Sequence, residues 1–225
     1  MFAMQLFKNP VYFGSVLLIV IGSICVHELF HALAAKWQGD DTAARAGHIT
    51  LDPRVHMGQT SIMMLVLFGM AWGSTPVNRS RLNGRWSSAI VSFAGPFANL
   101  LLMTVSVVLT LGLEPINAAL TLHGWDFFLW LDGFQRFFSL AALMNAFLFL
   151  LNMLPLPPLD GFDVLETFCP PLRRYSYSLS QYGLFILMVL FFFGLSSVLF
   201  AGAGIMVFNT SVWIQRLCPG INWAL

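Results

Sequence analysis

The apolar positions of this chain gather into long blocks separated by short polar joints, not into alternating stripes. Residues 11–35, 87–113, 137–154 and 182–200 each form such a block. A helix crossing a bilayer needs roughly 20 apolar residues, about 17–25 in practice, so the pattern predicts four spans. The first reaches that length only if its helix continues through His27 and His31. The third is ended by the prolines of "LPLPPLDG". The stretch after Gly204, residues 205–225, is too mixed to predict a span and is expected at the interface.

Two stretches depart from this pattern. "SIMMLVLFGMAWG", residues 61–73, is apolar but short for a crossing, and arginines flank it: Arg45 and Arg54 before, Arg79, Arg81 and Arg85 after. Basic loops stay cytoplasmic, so both flanks belong on one side and the segment is expected to dip in and return. "GHITLDP", residues 47–53, alternates His48, Thr50 and Asp52 with Ile49 and Leu51, the period of a strand. It predicts a short β-hairpin on the cytoplasmic side, whose edge could receive an unwound peptide at Ile49, Thr50 and Leu51 by strand addition. The fold class expected is thus an all-α integral membrane protein with about four transmembrane helices, a re-entrant segment and this hairpin. Residues 1–225 read as a single membrane-embedded domain, with a core over 11–170 and a C-terminal helix and tail over 176–225.

Composition agrees with the blocks. The 225 residues are 58% hydrophobic and 9% charged, against about 25% charged in soluble domains, and the mean hydropathy is +0.77. The net charge of +1 includes no basic run for nucleic acid. No small-residue cleavage site follows the first apolar block, so a removed signal peptide is not expected. Three cysteines, Cys25, Cys169 and Cys218, form no CxxC pair and support neither a disulfide nor a thiolate metal site. Placing the N-terminus outside puts Lys36, Arg45, Arg54, Arg79, Arg81, Arg85, Arg173 and Arg174 inside and leaves Lys8, Arg136 and Arg216 outside, so eight of the 11 basic residues obey the rule.

The first block ends in "VHELFHALAAK". Residues i and i+4 share a helix face, so His27 and His31 can present imidazole nitrogens to one metal ion with Glu28 alongside. His-Glu-x-x-His on a helix is the zinc metalloprotease pattern, two ligands and a carboxylate that takes a proton from water. Ionisable groups in lipid cost at least about 2.5–3.5 kcal/mol each on insertion scales, and a divalent cation is the simplest compensation for three in one turn. At about 1.5 Å per residue the pair lies roughly 6–12 Å from Lys36, submerged but close to the cytoplasmic face. A catalytic zinc usually takes a third protein ligand, for which His48, His56, His123 and the acids are available. Asp160 stands just past the third span at a similar depth, where prolines fix an extended path; its alternative is a loop aspartate capping the next helix. Ser92, Gly95 and Asn99 lie near one face of the second span and suit close helix packing.

"HELFH", "SFAGPFANL" (92–100), "GHITLDPRVHMG" (47–58) and "NMLPLPPLDG" (152–161) stand in the order of the motifs of the site-2 protease family, the intramembrane zinc metalloproteases, which the chain resembles over about residues 20–170. Asp52, Met57-Gly58 and Phe162 depart from the family's usual residues. The resemblance implies that His27, His31 and Asp160 bind Zn2+, that Glu28 is the general base and acid, and that Asn152 binds or polarises the substrate carbonyl. Asn99 is a further candidate for that work or for helix packing. The function expected is hydrolysis of peptide bonds in transmembrane protein or peptide substrates near the cytoplasmic face, in a bacterial-type cell membrane. No attached regulatory domain fits within the length, so a regulatory membrane partner is a possible selector of substrates. A membrane zinc hydrolase acting on a lipid amide, and a non-enzymatic metal-binding scaffold or transporter, remain the alternatives.

Overall fold

The computed structural model describes residues 2–122 and 129–217, and His123 lies outside them. The first long helix, α1, runs Pro10–Trp37 without interruption through the histidines. Asn9 starts it: its Oδ1 accepts the Tyr12 N–H at 3.0 Å, and Pro10 occupies the first turn, where no amide hydrogen is needed. One-turn α2, Pro53–His56, begins in the same way, with Asp52 accepting the Arg54 N–H and Pro53 behind it.

The short apolar segment folds as a hairpin of unlike limbs. Helix α3, Gly58–Phe68, goes in and ends at Gly69, whose φ of 77° provides the left-handed turn. The chain then returns without regular structure over residues 70–78. Ser61 ties the limbs together, its hydroxyl donating to the Trp72 carbonyl at 2.7 Å and accepting the Trp72 N–H at 2.9 Å. Where the two limbs meet again, the Ser74 N–H donates to the His56 carbonyl at 3.0 Å. The segment therefore leaves and comes back to one level, with Met57 and Leu65 packed on Ile24 of α1.

Helix α4, Ser87–Leu122, contains Pro96 and Pro115 and packs on both α1 and α5, Leu129–Asn152. The contacts use small residues: Ala34 and Ala35 against Val91, and Ala142 and Ala146 against Met103 and Val107. Lipid is as apolar as leucine, so association of such helices depends on close approach and not on burial from water. A loop containing a cis Pro157–Pro158 bond leads to α6, Asp160–Phe168.

Two expectations are corrected here. Among the described residues there is no strand, and the hairpin predicted from residues 47–53 is absent. The Asp52-Pro53 pair starts a helix instead, and the Thr50 carbonyl that a partner strand would take accepts His56 Nε2–H at 2.8 Å. The fourth candidate span is also displaced. Helix α7, Arg173–Phe192, stops at a turn containing Gly194, and α8, Leu195–Leu217, is the helix long and apolar enough to cross. Polar Asn209, Thr210 and Ser211 made 205–217 look mixed; in the fold Met206, Val207 and Ile214 pack on the α4–α5 seam together with Ala203, and Phe200 stacks on Phe147. Among the described residues, four helices are long and apolar enough to span a membrane: α1, α4 (Ser87–Ile116), α5 (Leu131–Asn152) and α8.

Candidate active site

Helix periodicity places His27, Glu28 and His31 on the part of α1 covered by α4 and by the returning limb, and all three are buried. Each imidazole is held from behind. His27 Nδ1 lies 2.7 Å from Asn99 Oδ1, and His31 Nδ1 lies 2.7 Å from the Val91 carbonyl oxygen, both on α4. Two oxygen acceptors require that both Nδ1 atoms carry hydrogen and donate. Both Nε2 atoms then carry lone pairs, and these face each other at 3.0 Å.

Asp160, the first residue of α6, completes the group. Its Oδ2 lies 3.1 Å from His27 Nε2 and 3.4 Å from His31 Nε2, and is buried without a hydrogen-bond donor from the protein. Three lone-pair-bearing atoms within 4.8 Å of one another repel unless a cation lies between them. A tetrahedral zinc with arms of about 2.0–2.1 Å spaces its ligands about 3.3 Å apart, close to the observed triangle. The donor set and its spacing fit a zinc ion.

Close contacts shape the rest of the site. Gly95 on α4 lies against both Nε2 atoms, where a Cβ would overlap them. Gly73 on the returning limb lies against the Glu28 carboxylate in the same way, and Thr75 Oγ1 donates to the Glu28 carbonyl at 3.1 Å. A cavity of about 360 Å³ opens here, bounded by Glu28, His31 and Asp160, by Ser74 and Thr75 of the returning limb, and by Arg79. Arg79 also borders an adjoining cavity of about 730 Å³. Its guanidinium pairs with Asp163 Oδ1 at 2.6 Å and with the buried Glu166, both on the helix that begins with Asp160. Burial opposes the Arg79 charge, but the two carboxylates outweigh it and raise its pKa.

The structure thus gathers His27, Glu28, His31 and Asp160 and separates the other expected residues from them. Asn99 is fully buried with its carboxamide committed to His27 and Asn145, which places it behind a histidine and not on a substrate-binding surface. Asn152 is the last residue of α5, half-buried and outside the cavity wall. Ile49, Thr50 and Leu51 lie in irregular chain and do not line the cavity; the returning limb stands there instead. His48 and His56 lie edge to face at 5.5 Å, apart from the ligand group. Sequence reasoning did not single out Gly73, Asn145 or the Val91 carbonyl. Only Asn145, a polar residue within an apolar span, carried a signal that could have been read.

Comparison with known proteins agrees with the geometry. The sequence profile of peptidase family M50 matches residues 15–125 and 129–194. YwhC of Bacillus subtilis (strain 168), a protein named as a zinc metalloprotease, is 36% identical over 180 residues, covering 76% of this chain and 77% of its own. Rip2 of Mycobacterium tuberculosis (strain ATCC 25618 / H37Rv), named likewise, is 30% identical over 227 residues, covering 88% and 78%. Rip2 of Mycolicibacterium smegmatis (strain ATCC 700084 / mc(2)155) is 32% identical over 190 residues, covering 80% and 68%. No solved structure matches the chain. With four helices fit to span a bilayer and a buried site fit for zinc, the chain belongs to peptidase family M50, the site-2 protease family, and is an integral-membrane zinc metalloprotease.

Proposed function

We propose that this protease hydrolyses peptide bonds of transmembrane substrates near the cytoplasmic face, with His27, His31 and Asp160 as its zinc ligands and Glu28 as its general base and acid. The observation that carries the reading is the convergence of three lone-pair donors beside a carboxylate on the wall of one cavity. When bound, zinc lowers the pKa of water to about 7 and polarises the scissile carbonyl. Glu28 takes the proton of the attacking water and delivers it to the departing amine nitrogen, closing the proton balance. His27 and His31 keep their rings fixed through Asn99 and Val91, so that ligation needs no rearrangement.

A helical substrate must unwind before its carbonyl is accessible. The returning limb at Gly73, Ser74, Thr75 and Val77 lines the cavity and offers such a segment a backbone to lie against. Asn152 enters this reading as a neutral amide donor to the carbonyl from the end of α5. Moving the fourth span to 195–217 preserves the parity of crossings, so the basic-residue argument still places the Arg79 side of the cavity in the cytoplasm. The single-domain reading and selection by a membrane partner belong to the same proposal. The cavity wall is rich in serine, threonine and charged groups, which suits a peptide backbone better than an acyl chain.

The test is cleavage of tagged single-span membrane proteins in proteoliposomes with the wild type or Glu28→Gln, alongside zinc content. Products that require Glu28, with zinc retained in the variant, support the reading. Products formed equally by Glu28→Gln would remove Glu28 from the chemistry.

A further inference from the structure

Behind the proposed ligand His27 runs a chain of hydrogen bonds in which every polar atom has a fixed direction. The Ala141 carbonyl can only accept, and it takes Asn145 Nδ2–H at 2.9 Å. That leaves Asn145 Oδ1 to accept from Asn99 Nδ2–H at 3.1 Å. Asn99 must then turn its Oδ1 to His27, 2.7 Å from Nδ1. An oxygen there demands hydrogen on Nδ1 and leaves the lone pair on Nε2, which faces Asp160. Asn99 is 0% exposed and Asn145 is 2% exposed, so water does not compete for either carboxamide.

We infer that Asn145, on α5 and out of contact with the ligand group, is a positioning residue that sets the tautomer of His27 by forbidding Asn99 to flip. A carboxamide is nearly symmetric in shape, so Asn99 alone could present either oxygen or NH2 to the imidazole. With NH2 facing it, His27 Nδ1 becomes the acceptor, hydrogen moves to Nε2, and the ligand lone pair is lost. Asn145 breaks that symmetry because its own orientation is set by a backbone carbonyl. The chain crosses three helices, so the chemistry at α1 is oriented from α5 through α4. This inference rests on His27 being a zinc ligand.

The experiment measures zinc affinity by chelator competition for the wild type, His27→Ala, Asn145→Leu and the double variant Asn145→Leu/Asn99→Asp. Outer-shell partners of ligating histidines are worth about 10–100-fold in metal affinity, and a loss of that size is expected for Asn145→Leu. An aspartate at 99 has no NH2 to present and can only accept, so the double variant should recover most of the loss. A merely structural role for Asn145 would not produce that rescue. Unchanged affinity in Asn145→Leu, or no recovery in a folded double variant, would overturn the lock. Zinc retained by His27→Ala would instead overturn the ligand assignment, which keeps the two failures apart. Should Asn145→Leu not fold, Asn145→Asp, which keeps an oxygen for Asn99 to donate to, decides: zinc affinity within a few-fold of the wild type supports the lock, and a loss of about 10–100-fold in the folded variant overturns it.

Discussion

Replacing Gly95 by alanine adds one methyl group at the point where α4 meets the two imidazoles. On the observed backbone this Cβ would fall closest to His31 Nε2, and would lie 2.5 Å from His27 Nε2 and 2.6 Å from its Cε1, where ordinary contact begins at 3.4 Å. Relief therefore requires a shift of at least about 0.9 Å from His27 and more from His31, and neither ring can supply it by rotation, because Asn99 and the Val91 carbonyl hold their other nitrogens. Displacements near 1 Å at a reacting centre cost about 10²-fold in rate, so kcat/KM should fall at least that far, with zinc bound more weakly. The same substitution at Gly112, also on α4, meets nothing within 4 Å. There the better helix propensity of alanine, about 1 kcal/mol, should leave activity unchanged and stability equal or higher. Both variants are assayed for zinc by chelator competition, for cleavage in proteoliposomes and for thermal unfolding in detergent. Full activity in Gly95→Ala would refute the proposed crowding of the site.

Asp160→Ala should lose stoichiometric zinc on gel filtration while remaining helical by circular dichroism; retained zinc would remove Asp160 from the ligand set. Arg79→Met leaves Glu166, 2% exposed, without its guanidinium partner. Breaking a fully buried pair costs about 3–5 kcal/mol, and because Arg79 and Asp163 are partly exposed we expect about 1–3 kcal/mol in detergent unfolding, with Arg79→Lys losing less. Asp40 is fully buried beyond the end of α1, where burial raises its pKa but hydrogen bonds from Thr42 and the Asn78 N–H overcome that and lower it. A depressed carboxylate stabilises the fold above its unfolded pKa of about 3.9 and ceases to as pH falls through the folded value. The stability gap between wild type and Asp40→Asn should therefore be full at pH 5–7 and narrow below pH 4; a gap that widens in acid would contradict this sign.

The parts of the fold that the sequence made legible are those where a single physical requirement acts over a long stretch. Helix α1 had to continue through His27 and His31 because a shorter apolar run could not cross, and it does. Arginines on both flanks similarly required residues 61–73 to come back, as the meeting of His56 and Ser74 shows. Short patterns misled. The alternation at 48–52 is equally the approach to a capped helix, and only tertiary contacts, here His56 on the Thr50 carbonyl, decide between them. The fourth span was displaced because hydropathy counts phenylalanines in 182–200 but not the glycine turn that divides them. Within the site, the convergence of His27, Glu28 and His31 on one helix face was readable, whereas Asn145 and Gly73 touch residues far away in sequence. No local pattern announces such partners.

The division of the site among helices has a consequence for how the chain is made. Synthesis delivers α1 first, so both histidines and Glu28 enter the bilayer before any residue of α4, α5 or α6 exists to face them. Until Asp160 is made, the nascent protein carries two of the three residues of the candidate metal cluster. The three-residue group is therefore complete only after α1, α4, α5 and the start of α6 have all been made.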